Sequence, residues 1–531
     1  MTRARCPRRA SAHASCERRT VICAPIAAPT PEALFAAMAA AAATADWLEL
    51  RLDALQTAAP AEASQALRQA LARRTKPVVV TFRPREQGGF REIPRQERLA
   101  FWRAALQTEA EAFDIEADLV EPLLADYAPA HPIWSRALVS HHDFAETPED
   151  VMGFAAARFP PYAGAVKLAT KINQPDDVCR LFDWLLQGPP PARKIPVGMG
   201  GYGIFTRILG PAYGARWTYA AAHDGRAIAP GQLPAAELRQ VFRVTELNRE
   251  TIVAGLIGAP VAHSLSKDMH NAAFARLGLN WVYIPVETPP DALERLIRDC
   301  IHPRSRRAPW QAGGYSVTLP HKTAVIPYLD RLTPLAERAG AVNTLVIEGE
   351  ELLGDNTDVS GAMRPLVARF EVAGKRVAVL GAGGGARAVV CGLADAGAAV
   401  TVFARNPARA SALGERFGVS VAPLDRFRGA DFDGLVNTTP VGLAGSAEEA
   451  ACPVAPDRLD GLAWVYDLVY RPRLTPLLQA AGQRGIAGLD GLPMLVAQAA
   501  EQFARWTRRS APEQVMLAAA ECALATRPAG T

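Results

Sequence analysis

The stretch GAVKLATK (164–171) reads as a buried strand with Lys167 at its centre, between Val166 and Leu168. Burying an ammonium is costly unless a partner holds it or a reaction uses it. A desolvated lysine keeps part of its population as the neutral amine, which attacks a ketone to form a Schiff base. His142 lies near the end of the preceding strand-like run, RALVSHHDF (136–144), and is the kind of group that moves protons near neutral pH. Lys171, four residues beyond Lys167 and in polar company, reads as a surface charge.

A second set of groups lies in the other half of the chain. SVTLPHK (316–322) ends in Lys322, and GDNTD (354–358) ends in Asp358. Hydride transfer to a ketone leaves an alkoxide that needs a proton, which a lysine paired with an aspartate can supply. Ser264 and Ser266 sit just before a helix-like segment, where hydroxyls and N–H groups can hold a small anion. Directly after the strand-like KRVAVL (375–380), Gly381, Gly383 and Ala386 fit G-x-G-x-x-G/A, with Gly384 in the same turn. Those glycines allow a tight turn, and the helix that follows offers N–H donors to a pyrophosphate. The next strand ends in Ala404-Arg405-Asn406, with Arg409 following and no carboxylate. Two guanidiniums suit the 2′-phosphate of NADP, whereas an NAD site would place an acid there.

These groups need a scaffold. Short strand-like runs at 20–26, 47–53, 77–84, 112–118, 136–144, 164–171, 194–201 and 216–222 alternate with helix-like segments such as 31–43 and 95–110. Eight β/α units in about 200 residues is the rhythm of a (β/α)8 TIM barrel, which keeps its chemistry at the carboxyl ends of its strands. The strand ends are polar: Glu49, Arg51 and Asp53; Arg83; Glu116; His141, His142 and Asp143; Lys167 and Lys171. Each alone reads as a surface ion-pair member; together on one face they point to a site. A new pattern starts with the strand-like TIVAGLIG (251–258). The expected division is a leader at 1–20, a barrel at 21–247, a substrate-binding lobe at 248–358, a Rossmann lobe at 359–485 and helices at 486–531 that return to the substrate lobe.

Composition bounds the alternatives. The 531 residues are 49% hydrophobic and 21% charged, an ordinary globular balance that implies several domains. The formal charge of +4 is local to residues 1–20, which hold six arginines and one glutamate; the remainder carries 52 basic and 53 acidic side chains, a net of −1. No excess of positive charge therefore favours nucleic acid. No apolar run reaches the roughly 18 residues of a membrane helix. Eight cysteines without a CxxC pair argue against a zinc ribbon or a disulfide framework, fit a reducing compartment, and leave no metal expected. The arginine-rich, acid-poor leader reads as a tail on a cytoplasmic protein or as an organelle transit peptide. Oligomeric state is not legible.

Residues 250–531 resemble shikimate dehydrogenase. The resemblance rests on S-x-S (Ser264, Ser266), V-T-x-P-x-K (Thr318, Lys322), A-V-N-T (Asn343), D-N-T-D (Asp358) and the glycine turn, with YDLVYRPRLTPLL (466–478) and GLDGLPMLVAQAAEQFARW (488–506) further on. It implies that Ser264 and Ser266 bind a substrate carboxylate and that Lys322 and Asp358 are catalytic. Thr318, Asn343, Tyr470 and Gln498 would line the substrate, and Arg405 would bind NADP. Val359 replaces the usual glycine after D-N-T-D, and Ala404-Arg405-Asn406 replaces N-R-T.

Residues 21–245 resemble type I 3-dehydroquinate dehydratase through E-L-R-x-D (Glu49, Arg51, Asp53), T-F-R before G-G (Arg83, Gly88, Gly89), S-x-H-D-F (His142, Asp143), Lys167, Arg207 and A-P-G-Q ending in Gln232. The resemblance implies a Schiff base on Lys167, proton transfer by His142 oriented by Glu116, and substrate binding by Glu49, Arg51, Arg83, Arg207 and Gln232. Gln87 stands where a glutamate is usual, Ile228 where a serine is, and Thr206 where another serine is. Together the halves imply dehydration of 3-dehydroquinate to 3-dehydroshikimate, then reduction to shikimate with NADPH. The alternatives are a class I aldolase in the barrel, a quinate dehydrogenase in the second half, or a half kept for ligand binding or regulation.

Overall fold

The computed structural model describes residues 20–56, 59–222 and 231–526. Residues 1–19 of the expected leader, Ile228 and the side chain of Arg409 lie outside the described set.

Eight parallel strands build the first unit: β1 (Ile22–Ala27), β2 (Trp47–Arg51), β3 (Val78–Thr81), β4 (Ala112–Glu116), β5 (Ala137–Asp143), β6 (Ala165–Lys171), β7 (Arg193–Met199) and β8 (Thr218–Tyr219). They are hydrogen-bonded in the order β7-β6-β5-β4-β3-β2-β1-β8, a nearly closed barrel. A backbone bond from Arg216 N–H to Lys194 O spans the remaining gap. The last strand, expected over 216–222, shrinks to two residues. Beyond it, Ala221 forms only an isolated bridge, to Pro234.

A two-residue period sorts the barrel's side chains. On β4, Phe113 and Ile115 join the core under the surrounding helices, whereas Ala112 packs into a separate apolar floor with Cys23, Val79, Leu138, Ala165, Ile195, Trp217 and Tyr219. Two residues beyond this floor come Thr81, Asp114, Ser140 and Lys167; two residues further come Arg83, Glu116 and His142. Greasy side chains therefore close the bottom and polar ones rise toward the carboxyl end.

The second sheet comprises β9 (Ile252–Gly258), β10 (Trp281–Glu287), β11 (Gln311–Val317), β12 (Arg331–Leu332), β13 (Thr344–Glu348) and β14 (Glu351–Asp355), in the order β10-β9-β11-β13-β14-β12. The third is an all-parallel doubly wound sheet. Its strands are β15 (Arg376–Leu380), β16 (Ala399–Ala404), β17 (Ser420–Pro423), β18 (Gly434–Asn437), β19 (Trp464–Asp467) and β20 (Ala487–Leu489), in the order β17-β16-β15-β18-β19-β20. That order is the one dinucleotide-binding folds use. β20 lies beyond the seam expected at 485, because its pairing with β19 keeps the chain in this sheet for three more residues.

Helix Leu492–Thr507 then crosses back to the second sheet. Trp506 Nε1–H donates to Leu345 O at 2.9 Å, and Gln502 Nε2–H donates to Asn343 O at 3.1 Å. The barrel and the second sheet share one hydrophobic core. Phe205 of the barrel stacks on Trp310 with centroids 4.7 Å apart, and Phe182 meets the same indole edge-on at 5.4 Å.

Candidate active sites

In the barrel, Lys167 is 3% exposed and its Nζ pairs with Asp114 Oδ2. Arg83 Nη2 reaches the same carboxylate oxygen at 2.7 Å. One buried carboxylate thus holds two cations, and Arg83 and Lys167 in turn hold the Asp114 carboxyl down at about 2 despite its burial. For Lys167, burial and the Arg83 charge outweigh Asp114 and push the amine below its ordinary value. Lys167 Nζ also lies 5.0 Å over the Tyr219 ring.

His142 is half-buried beside this cluster, with Nε2 2.9 Å from Arg83 Nη1. A guanidinium only donates, so Nε2 accepts and the ring proton sits on Nδ1. Desolvation, Arg83 and Lys167 all lower the imidazole well below its usual range, so it is neutral. The backbone N–H of His142 donates to Gln87 Oε1 at 3.1 Å, which gives the glutamine in the glutamate slot a contact of its own.

Glu116 does not orient His142. Its carboxylate faces Arg83 Nε at 3.7 Å and Arg98 Nη1 at 3.6 Å. Burial raises it to about 8. The partner that sequence reasoning missed is Asp114; the signal was three acids, each spaced by one residue, in AFDIEAD, the first of which meets Lys167.

The other expected residues lie at different depths of the barrel, Arg207 beside floor residues. Glu49 accepts from Thr81 Oγ1 at 2.7 Å. Arg51 forms a bidentate pair with Asp53 at 3.1 and 2.8 Å and donates to Gly88 O at 2.9 Å, which ties the E-L-R-x-D strand to the G-G loop. Arg207 is buried in helix Ile204–Leu209 among Ile195, Val197, Trp217 and Tyr219, and burial lowers it to about 10. Thr206, in the serine slot, accepts from Gly198 N–H at 2.9 Å. Gln232 follows Gly231, which takes φ +77° against the loop at Gly200. Lys171, read as a surface charge, is half-buried and also points at Gly200.

The second site forms where the second and third sheets meet. Lys322 Nζ donates to Asp358 Oδ2 at 2.5 Å. Asn343 Nδ2 donates to Asp358 Oδ1 at 2.8 Å and lies 3.5 Å from Gln498 Oε1. Ser264 Oγ donates to Ser266 Oγ at 3.1 Å. A buried relay unseen in the sequence runs from Tyr283 OH to Ser316 Oγ (2.8 Å) to Gln502 Oε1 (2.7 Å), and Gln502 holds the backbone of Asn343. Thr318 packs its methyl against Gly258, and Tyr470 against the core around Phe274 and Trp506. Val359 in the glycine slot fills space between Ala388 and Cys391 on helix Gly384–Asp395, docking the Asp358 helix on the nucleotide helix.

The glycine turn fits a dinucleotide. Gly381 takes φ +106°, a conformation glycine adopts freely. A Cβ on Gly383 would meet no protein atom within 4 Å, so that backbone face is open to a ligand, whereas one on Gly384 would come within 3.0 Å of Lys322 Cδ. The turn and the lysine–aspartate pair are therefore neighbours. Ala386 is fully buried, where it packs the helix onto the sheet. Arg405 is exposed and meets Glu448 at 3.1 Å, beside a cavity of about 420 Å³ that Arg458 also lines.

Comparisons with known proteins cover both of these regions. The family model for type I 3-dehydroquinase matches residues 22–249, that for the shikimate dehydrogenase substrate binding domain 256–345, and that for the shikimate 5′-dehydrogenase C-terminal domain 491–521. The chloroplastic bifunctional 3-dehydroquinate dehydratase/shikimate dehydrogenase of Arabidopsis thaliana is 31% identical over 518 residues, covering 93% of this chain and 83% of the relative. The chain belongs to the bifunctional 3-dehydroquinate dehydratase/shikimate dehydrogenase family. As in that family, a lyase is joined to an oxidoreductase, and the two act in the shikimate pathway. Its dehydrogenase half is 42% identical to shikimate dehydrogenase (NADP(+)) of Geobacter metallireducens over 285 residues, 51% of this chain and 96% of that protein. The namesake from Oleidesulfovibrio alaskensis is 44% identical over 263 residues, 49% of this chain and 90% of its own. Among the described residues, no helix is long and apolar enough to cross a membrane.

Proposed function

We propose that residues 21–247 dehydrate 3-dehydroquinate through a Schiff base on Lys167. The observation that carries this is the buried Lys167 paired with Asp114 beside a neutral His142. The neutral amine adds to the substrate ketone, the carbinolamine loses that oxygen as water, and the iminium so formed draws electrons from the adjacent C–H bond. His142 takes that proton on Nε2 and returns one to the departing hydroxyl. Arg83 occupies Nε2 at 2.9 Å, so it must let go before the proton moves, which frees its guanidinium for the substrate. Arg207 holds the substrate carboxylate.

In the second site, the lobe at 248–358 with the helices beyond residue 489 positions 3-dehydroshikimate over the Rossmann lobe. Ser264 and Ser266 hold the carboxylate, Lys322 gives a proton to the carbonyl oxygen, and Asp358, fixed by Asn343, aims the lysine. NADPH supplies the hydride when bound. Gly381, Gly383 and Gly384 would cradle its pyrophosphate, and Arg405 and Arg409 its 2′-phosphate, consistent with the NADP(+) named for the bacterial relatives.

Incubation with 3-dehydroquinate and NADPH should consume NADPH and form shikimate, and borohydride during the first step should reduce the imine onto Lys167 alone by peptide mass mapping. Turnover without any label on Lys167 would overturn the Schiff-base assignment.

A further inference from the structure

Arg405 stands just past the end of β16, and its guanidinium is tied to a residue of a different loop. Nη1–H donates to Glu448 Oε1 at 3.1 Å, although the Arg405 side chain is 74% exposed. Glu448 belongs to the connection between β18 and β19. β16 and β18 flank β15 on either side, so the pair reaches across the carboxyl end of β15, where the glycine turn begins. In a doubly wound sheet that crevice is where a dinucleotide is gripped.

The loop itself places the carboxylate there. The Glu448 carbonyl accepts from the N–H of Gly442 at 2.9 Å and of Ala451 at 3.1 Å, which closes 442–451 on itself. The next acid, Glu449, is used inside that loop, where its Oε2 accepts from Gly445 N–H at 2.8 Å. Glu448 is therefore the member of the acid pair that reaches across to Arg405. Arg405 also lines the cavity of about 420 Å³, together with Asp425 and Arg458. The Arg458 guanidinium is already engaged, with Nη1–H donating to Asp425 O at 2.6 Å.

We propose that Glu448 is a specificity-determining residue that competes with the 2′-phosphate of NADP for Arg405. The proposal rests on the reading of Arg405 as a 2′-phosphate residue. NADP must then take the guanidinium from Glu448. A phosphate monoester, with more charge and three acceptor oxygens, wins that exchange, and an exposed carboxylate pair is weak enough to yield. NAD carries only a hydroxyl at that position and leaves the pair intact. Glu448 thus lowers the affinity for NADP but not for NAD, and holds the cofactor preference below what Arg405 alone would give.

Calorimetry on the full-length chain, without substrate, compares NADP+ with NAD+. Glu448→Gln keeps the size and removes the charge. Its Kd for NADP+ should fall about threefold, the scale of one exposed ion pair, while its Kd for NAD+ stays the same. In an Arg405→Leu background the same change should bring no gain, and Glu449→Gln alone should bring none either. NADP+ binding that is unchanged or weaker in Glu448→Gln overturns the proposal. So does a gain shared by NAD+, by Glu449→Gln or by the Arg405→Leu background, because it would not act through Arg405 and the 2′-phosphate. If the unaltered chain binds NADP+ no more tightly than NAD+, the reading of Arg405 itself fails and the proposal with it, which the wild-type titrations show separately.

Discussion

At the scale of single residues, the barrel site turns on Asp114. Its carboxylate serves Lys167 and Arg83 together, with all three side chains almost fully buried. Asp114→Asn leaves both cations without their counter-charge and should cost about 3–5 kcal/mol in chemical denaturation. Since Arg83 and Lys167 hold the native carboxyl near 2, below its unfolded value, the stabilisation is complete above about pH 4 and is lost as pH falls toward 2. Acid unfolding of the asparagine variant should lack that component. The Asp114 charge also raises Lys167, so its removal should move the limb of the dehydratase pH–rate profile set by the neutral amine to lower pH. A limb that stays in place would show that Lys167 does not titrate in that profile.

At the scale of elements, the second site depends on how closely helix Gly384–Asp395 approaches the short helix that bears Lys322. A methyl on the first residue of the long helix would crowd the lysine: a Cβ there would sit 3.0 Å from Lys322 Cδ and 3.4 Å from its Cβ. Gly384→Ala should displace the lysine by tenths of an ångström and lower reduction kcat about tenfold while dehydration proceeds normally. The same change at an open glycine such as Gly397, which has positive φ but no neighbour within 4 Å, should strain only the backbone and spare catalysis. Equal effects at both positions would contradict the contact argument.

At the scale of the whole molecule, the two catalytic parts are not beads on a string. The barrel and the second sheet share a core, and Trp310 is its interlocking piece, touching Phe182 and Phe205 of the barrel. Dehydratase and dehydrogenase activities should therefore be lost at the same temperature on heating. Trp310→Ala should cost about 3–5 kcal/mol and bring both losses to a lower common temperature. Inactivation temperatures that diverge in the unaltered chain would show that the halves unfold independently.

Much of this was legible in the sequence because it is local. Alternation with a period of two marks the barrel strands: GAVKLATK is β6 but for its first residue, and WLELRLD holds β2. The glycine turn, Lys322, Asp358 and Lys167 announce themselves by type and short spacing, since each chemistry needs that group at that place in its own element. What the chain could not state by itself is which polar groups meet across elements. β4 offers two inward acids, and the stagger of the nearly closed barrel, not β4 itself, gives Asp114 to Lys167 and leaves Glu116 between Arg83 and Arg98. The same holds for Gln502 behind Asn343, a contact between residues far apart in the chain that exists only once the helix has docked on the second sheet. Local patterning fixes which groups are present and which way they face, whereas partner choice follows from register and packing, which depend on the whole fold at once.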